Sequence, residues 1–175
     1  MQYIRITSEN IDSEHICCAM SGKQSVAKKA LLKERFAEGL VFYRSEERGK
    51  CFIEYIPAEN AWVPIDAPGY LYINCLWIAG SMKGHGYSSD LLGECIRDAK
   101  AQGRQGICIL SAKGRKREFL SDPKYLSYKG FTVADTSDCG ITLMYLPLTP
   151  SAERPKFKKC AKHPQIGEDG FVLYY

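Results

Sequence analysis

The chain has no CxxC pair, no long uncharged run and no strong excess of charge of either sign, and each absence closes off a class of function. Its eight cysteines, at positions 17, 18, 51, 75, 95, 108, 139 and 160, lie mostly inside apolar segments. That is the usage of reduced core cysteine. No uncharged stretch approaches the roughly 20 residues needed to cross a bilayer, and the opening residues, MQYIRITSEN, lack the apolar centre of a secretory leader. A cytoplasmic (cytosolic) protein with no membrane partner is the expectation. A formal charge of +4 permits attraction to phosphates but is too small to mark a nucleic-acid binder, so no nucleic-acid partner is expected. Internal repeats and low-complexity tracts are also missing. What is present is an ordinary globular balance, 45% hydrophobic and 25% charged over 175 residues, enough for one full core.

The stretch that organises the chain is YLYINCLWIAGSMKGHGYSSDLL, residues 70–92. Residues 70–79 mix aromatic and β-branched side chains without a charge, the composition of a strand covered on both faces. Gly80, Gly84 and Gly86 then allow sharp turns, and Leu91, Leu92, Cys95 and Ile96 begin a helical pattern. A strand passing through small residues into a helix start converges backbone N–H groups at the positive end of the helix dipole. Such a site suits a phosphate-bearing ligand.

Before it, residues 3–7 alternate as a strand. A helix is predicted after Ser8 or Asn10, containing Ile11, Ile16, Cys17 and Met20, and a second over residues 24–38 with Val26, Ala30, Leu31 and Phe36 inward. Residues 40–44 and 50–56 read as a hairpin turning at Arg48-Gly49, and residues 58–69 as a long connection with room for one short strand. After it, residues 106–112 (GICILSA) read as a buried strand and 113–117 as a basic loop. Asp122-Pro123 starts a short helix that ends at Gly130, and residues 131–136 and 141–148 form a last pair of strands. Residues 1–149 are thus one domain. Residues 150–175 read as a lysine-rich linker or loosely packed tail, except that the terminal FVLYY looks like a strand, either added to a sheet edge or opening a second domain.

The strand–loop–helix unit, followed by strand, short helix and Gly-Phe, resembles the GNAT (Gcn5-related) N-acetyltransferase superfamily. Its signature is Arg or Gln, two residues, Gly, one residue, then Gly or Ala, directly after a strand. Lys83, Gly84, His85, Gly86, Tyr87 and Ser88 occupy those places, with Lys for Arg/Gln and Ser for Gly/Ala, and Leu91-Leu92 match the apolar pair that follows. More narrowly, HICCAM, FIEY, KGHG and FLSDPKY…KGF resemble the YoaP-type acetyltransferases, in which a thioredoxin-like region follows the acetyltransferase domain.

The resemblance implies an α/β (α+β) GNAT fold, a mixed central β-sheet splayed between two parallel strands and flanked by helices. It further implies an acetyl-CoA-dependent N-acetyltransferase acting on a small-molecule or protein amine, with acetyl-CoA as cosubstrate and no metal. The splayed strands would be residues 70–79 and 106–112, with a bulge near Leu76, Trp77 and Ile78 freeing backbone for the pantetheine arm. Lys83, Gly84, His85, Gly86, Tyr87 and Ser88 would hold the pyrophosphate, His85 through its backbone. The backbone N–H of Ile78 would polarise the thioester carbonyl.

The tyrosine that the superfamily often places four residues before Gly-Phe is here Leu126, so Tyr125 becomes the candidate general acid, set against simple packing. Glu54 is the candidate base through a water, set against a solvated strand carboxylate. His15 with Cys17 and Cys18 offers soft ligands, but adjacent cysteines on a helix point apart, against a metal site. The basic loop 113–117 would draw a phosphate or an acidic substrate, or simply be solvated. Two other readings stay open: an acyl-CoA-binding sensor without catalysis, kept alive by Leu126, and an RNA-associated protein using the basic clusters. The sequence also leaves a homodimer open.

Overall fold

The computed structural model describes residues 1–16 and 22–163. Nine strands are formed: β1 (Tyr3–Ile6), β2 (Val41–Ser45), β3 (Cys51–Pro57), β4 (Ile65–Asp66), β5 (Tyr70–Ile78), β6 (Gly106–Ala112), β7 (Thr132–Thr136), β8 (Ile141–Pro147) and β9 (Lys156–Phe157) among the described residues. Seven of them make a mixed central sheet in the order β1-β2-β3-β5-β6-β8-β7. All neighbours in it are antiparallel except β5 and β6. A parallel pair needs a crossover. The helix between them (Tyr87–Ala101) supplies it, and is α2 in chain order after α1 (Gly22–Phe36). The short helix α3 (Pro123–Tyr128) follows β6. Among the described residues no helix is long and apolar enough to cross a membrane.

Each face of the sheet carries its own apolar cluster. Leu91, Leu92, Cys95 and Ala99 recur at helical spacing on α2 and are buried against Ile53, Leu71, Ile73 and Ile109. On the other face Leu32 of α1 packs with Phe42, Phe52, Tyr70 and Tyr72, and the Phe42 and Phe52 rings stack 5.0 Å apart. Full burial of a leucine such as Leu32 is worth about 1.5–3 kcal/mol. Asp122 caps α3 by accepting from the Lys124 N–H at 2.8 Å, with Pro123 at the first helical position, as the sequence predicts.

Several expectations are corrected. The segment after β1 is a series of turns through Ser13, not a helix: the Asn10 side chain accepts from the Thr7 N–H and donates to the Arg5 carbonyl, offering the backbone local partners that compete with a helix. Cys17, Cys18 and Met20, the rest of that predicted helix, lie outside the described residues. In α1 the fully buried positions are Leu32 and Arg35, and Phe36 packs partly buried against the core as expected, whereas Val26 is 70% exposed and Ala30 is exposed, so the helix is rotated from part of its expected face. The long connection does hold a short strand, β4, but its partner is β9, in a region expected to be loose.

Residues 151–163 pack onto the domain. Phe157 is buried in the core, and the Arg154 guanidinium donates to the carbonyls of Ala134 and Val133. Lys162, the last residue of the short helix α4 (Lys159–Lys162), pairs with Asp135 at 2.5 Å. The Tyr70 hydroxyl donates to the Glu153 carbonyl at 2.7 Å. These contacts are long-range, which is why a lysine-rich composition did not announce them. The terminal FVLYY lies outside the described residues.

Where β6 begins, a Cβ on Gly106 would stand 2.5 Å from the Leu146 carbonyl oxygen and 2.6 Å from the Tyr70 ring. The oxygen is backbone and cannot swing aside. Gly106→Val is therefore expected to lower unfolding stability in urea by about 3 kcal/mol, through overpacking at the β5–β6–β8 junction.

Candidate active site

Strands β5 and β6 pair only from Tyr70↔Gly106 to Ile73↔Ile109. Beyond that point β5 stays with β3 and β6 with β8, so the two parallel strands part and leave a wedge-shaped gap. The cause is one extra residue. Across β3, Tyr55 pairs with Ile73 and Glu54 with Cys75, which leaves Asn74 without a partner in the ladder. The bulge is therefore at Asn74, ahead of the 76–78 position expected from the sequence. An extra residue bends its strand and shifts the alternation of faces by one. That shift lets Leu76 and Ile78 share a face with Leu71 and Ile73.

The same alternation orients the backbone. The Ala79 N–H donates to the Lys50 carbonyl at 2.8 Å on the β3 side. With a period of two, the N–H groups of Leu76 and Ile78 then point away from β3 and into the gap. Trp77 differs from its neighbours: its backbone faces Phe52 of β3, and it is 43% exposed with the Lys50 ammonium 5.9 Å from its ring centroid. On the far side of the gap the Ser111 hydroxyl donates to the Ser121 carbonyl at 2.7 Å, and this tie holds the segment leading into α3 against β6.

At the mouth, β5 runs through a turn at Gly80–Met82 into Lys83, Gly84, His85 and Gly86, and then into α2. Gly84 and Gly86 have φ of +85° and +81°, a region that side-chain-bearing residues rarely adopt. A Cβ at either would meet nothing within 4 Å, so the space over the loop is open to a ligand. Lys83 and His85 are exposed, and the His85 ring lies 5.4 Å from the Tyr87 ring. Buried Met82 anchors the turn from below.

Two groups from α3 and its end converge on the start of α2. The Lys129 ammonium donates to the Ser89 hydroxyl at 2.6 Å and lies over the rings of Tyr125 (5.7 Å) and Tyr128 (5.0 Å). Tyr125 is half-buried. Its hydroxyl is enclosed beside Ser88 with no hydrogen bond of normal geometry among the described residues. Burial pushes the phenol pKa up, against a smaller lowering by Ser88, so Tyr125 is protonated at neutral pH. Leu126 is fully in the core, and Tyr128 is 82% exposed.

Glu54 belongs to the opposite face. It is buried, not a solvated strand carboxylate. Its two oxygens are held by the Lys28 ammonium at 2.6 Å and the Asn74 amide at 3.0 Å. It lines a cavity of about 210 Å³ between α1 and the sheet, with Lys28, Trp62, Val63, Tyr72 and Asn74. The cavity thus adjoins the residue at which the strands separate. Trp62 is 72% exposed, with the Arg35 guanidinium 4.2 Å above its ring.

The structure therefore gathers Leu76, Ile78, Lys83, Gly84, His85, Gly86, Tyr87, Ser88 and Tyr125 around the gap and its mouth, with Glu54 across the sheet. Lys28, Asn74 and Lys129 were missed by sequence reasoning, because each meets the site through a contact that local periodicity does not encode. His15 stands apart from this set. Burial, with Arg48 and Lys29 nearby, holds its imidazole below the ordinary pKa. The basic loop is tied to the β7–β8 turn, where the Arg117 guanidinium donates to the Cys139 carbonyl at 3.1 Å.

No family model matches the chain. It is 48% identical over 179 residues to YoaP of Bacillus subtilis (strain 168), named an uncharacterized N-acetyltransferase, a match covering 100% of this chain and 71% of that protein. Among solved structures, the GNAT family N-acetyltransferase YhbS from Escherichia coli, in complex with CoA, matches with a TM-score of 0.58 at 11% identity, covering 94% of this chain and 93% of that one. A GNAT family acetyltransferase from Brucella melitensis, in complex with acetyl-CoA, matches with a TM-score of 0.55 at 12% identity, covering 87% and 91%. At such identities these likenesses establish the fold.

The enclosed phenol yields a prediction. Tyr125→Phe removes an enclosed hydroxyl whose only contact, to Ser88, is not a hydrogen bond of normal geometry, so unfolding stability should stay unchanged or rise by up to about 1 kcal/mol, read from urea denaturation.

Proposed function

The chain belongs to the YoaP-type GNAT N-acetyltransferases, and from that membership we propose that it transfers an acetyl group directly from acetyl-CoA to an amine, using the gap between β5 and β6 and the α1-side cavity that adjoins it. The observation that carries this reading is the parting of β5 from β6 at Asn74, with the N–H groups of Leu76 and Ile78 turned into the opening above a positive-φ glycine loop. Acetyl-CoA supplies an acetyl group already activated as a thioester. The work left to the chain is to bind, orient and move protons.

The backbone of residues 84–88, open above Gly84 and Gly86, takes the pyrophosphate at the positive end of α2. Lys83 contributes a point charge at the loop, and Lys129 a second one beside Ser89. Leu76 and Ile78 supply in-line backbone partners for the pantetheine amides, and the Ile78 N–H donates to the thioester carbonyl as its oxygen gains charge. Glu54 accepts the proton of the acceptor's ammonium, directly or through a water, from its place beside the cavity. Tyr125, protonated and beside Ser88, is the group on the chain to return a proton to the departing thiolate. The acceptor enters from the α1 side, where Trp62 and Trp77 offer exposed aromatic surface.

Binding and turnover are tested separately. Acetyl-CoA should raise the melting temperature, and Gly86→Val should abolish the shift, because a β-branched residue resists φ near +81° and fills the open cradle. Lys129→Ala should weaken acetyl-CoA binding about 10-fold by calorimetry, the loss of one charge-assisted contact. Against a panel of amines, Glu54→Gln should lower kcat about 100-fold with little change in acetyl-CoA affinity. Binding without turnover of any amine would instead favour an acyl-CoA-binding sensor.

A further inference from the structure

The seat beside Glu54 already holds a primary amine. The Lys28 ammonium reaches down from α1 to within 2.6 Å of one Glu54 oxygen, while Asn74 holds the other. Glu54 pairs across the ladder with Cys75, next to the bulge, so this ammonium lies on the α1 face beside the strand that borders the gap. Its side chain is only 22% exposed and the carboxylate 8%, against 43%, 68% and 40% for the ion-paired lysines Lys33, Lys156 and Lys162. A free amine acceptor would need the same carboxylate, in the same cavity.

We propose that Lys28 is an internal acetyl acceptor: the protein acetylates its own Lys28 in cis. This rests on the acetyl-transfer reading above. The Lys28 ammonium gives one proton to Glu54, and the freed amine attacks the thioester carbonyl. A C–N bond forms as the C–S bond breaks, and the CoA thiolate leaves and takes up a proton. The product is Nε-acetyl-lysine plus CoA, with no oxidant, reductant or further reactant. Lysine's flexible four-carbon stem lets the nitrogen swing from the carboxylate to the gap. Placement beside its base gives it an effective concentration that no surface lysine shares. The acetylated side chain loses its charge, so the Lys28–Glu54 ion pair that fastens α1 to the sheet is released once the site has acted on itself.

The test incubates the full chain with isotopically labelled acetyl-CoA and reads label at each lysine by peptide mass spectrometry. Label should enter Lys28 at least about 10-fold faster than the exposed Lys158 and Lys159, at a rate per molecule independent of protein concentration. Glu54→Gln should slow Lys28 labelling about 100-fold. Lys28→Arg, which keeps a cation on Glu54, should remove the fast phase. Labelling of Lys28 no faster than Lys158, or unaffected by Glu54→Gln, would overturn the proposal. If that happens while acetyl-CoA still raises the melting temperature, self-acetylation falls and the cofactor reading stands; if acetyl-CoA gives no shift at all, both fall.

Discussion

Backbone hydrogen bonds set the terms for this site. Strand β5 lies between β3 and β6, and one additional residue, Asn74, forces a choice between them. A strand that bulges cannot keep both ladders in register, so β5 follows β3 and leaves β6. The N–H groups on the abandoned side then face a gap, half-buried and with no ladder partner on β6, and must find another partner. In a site read as binding an acyl thioester, the pantetheine arm meets that demand. The gap is thus a consequence of hydrogen-bond satisfaction, not a hole left by poor packing. The parallel neighbour it opens against is held independently by β8 along its whole length, so the sheet does not collapse into the opening.

The bulge also sorts side chains. Alternation along YLYINCLWI would place Ile73 and Cys75 on one face without it. With Asn74 inserted, Cys75 passes to the α1 face, and Leu76 and Ile78 join the α2 cluster. Asn74 itself contributes an amide to Glu54. One residue therefore opens the gap, supplies apolar footing beneath the loop and steadies the buried carboxylate on the other side. Glu54 gains a partner on each oxygen, as a buried charge requires. Lys28 is the more consequential of the two, since it ties α1 to the sheet and puts an amine where acceptor chemistry is expected.

The loop and the helix behind it follow a different logic. Gly84 and Gly86 are required by their own conformation and not by crowding, since a Cβ at either would meet open space. Such positions are readable from sequence, because glycine in a short run before an amphipathic helix has few other uses. Lys129 is not readable in that way. It lies 40 residues from Ser89, and only the docking of α3 beside α2 brings the two together.

The strand–loop–helix unit, the short helix capped at Asp122, the hairpin strands and the superfamily were all legible in the sequence. Each is encoded locally, in alternation, helical spacing, turn residues or a contiguous motif. Folding in three dimensions settled where the bulge falls, which face of α1 turns inward, and that residues 151–163 dock against β4 and β7. It also settled that Glu54 is buried between Lys28 and Asn74. All of these depend on partners far along the chain. Register between strands and rotation of a helix follow from the summed packing of distant side chains, and a one-residue shift in either leaves the local pattern almost unchanged.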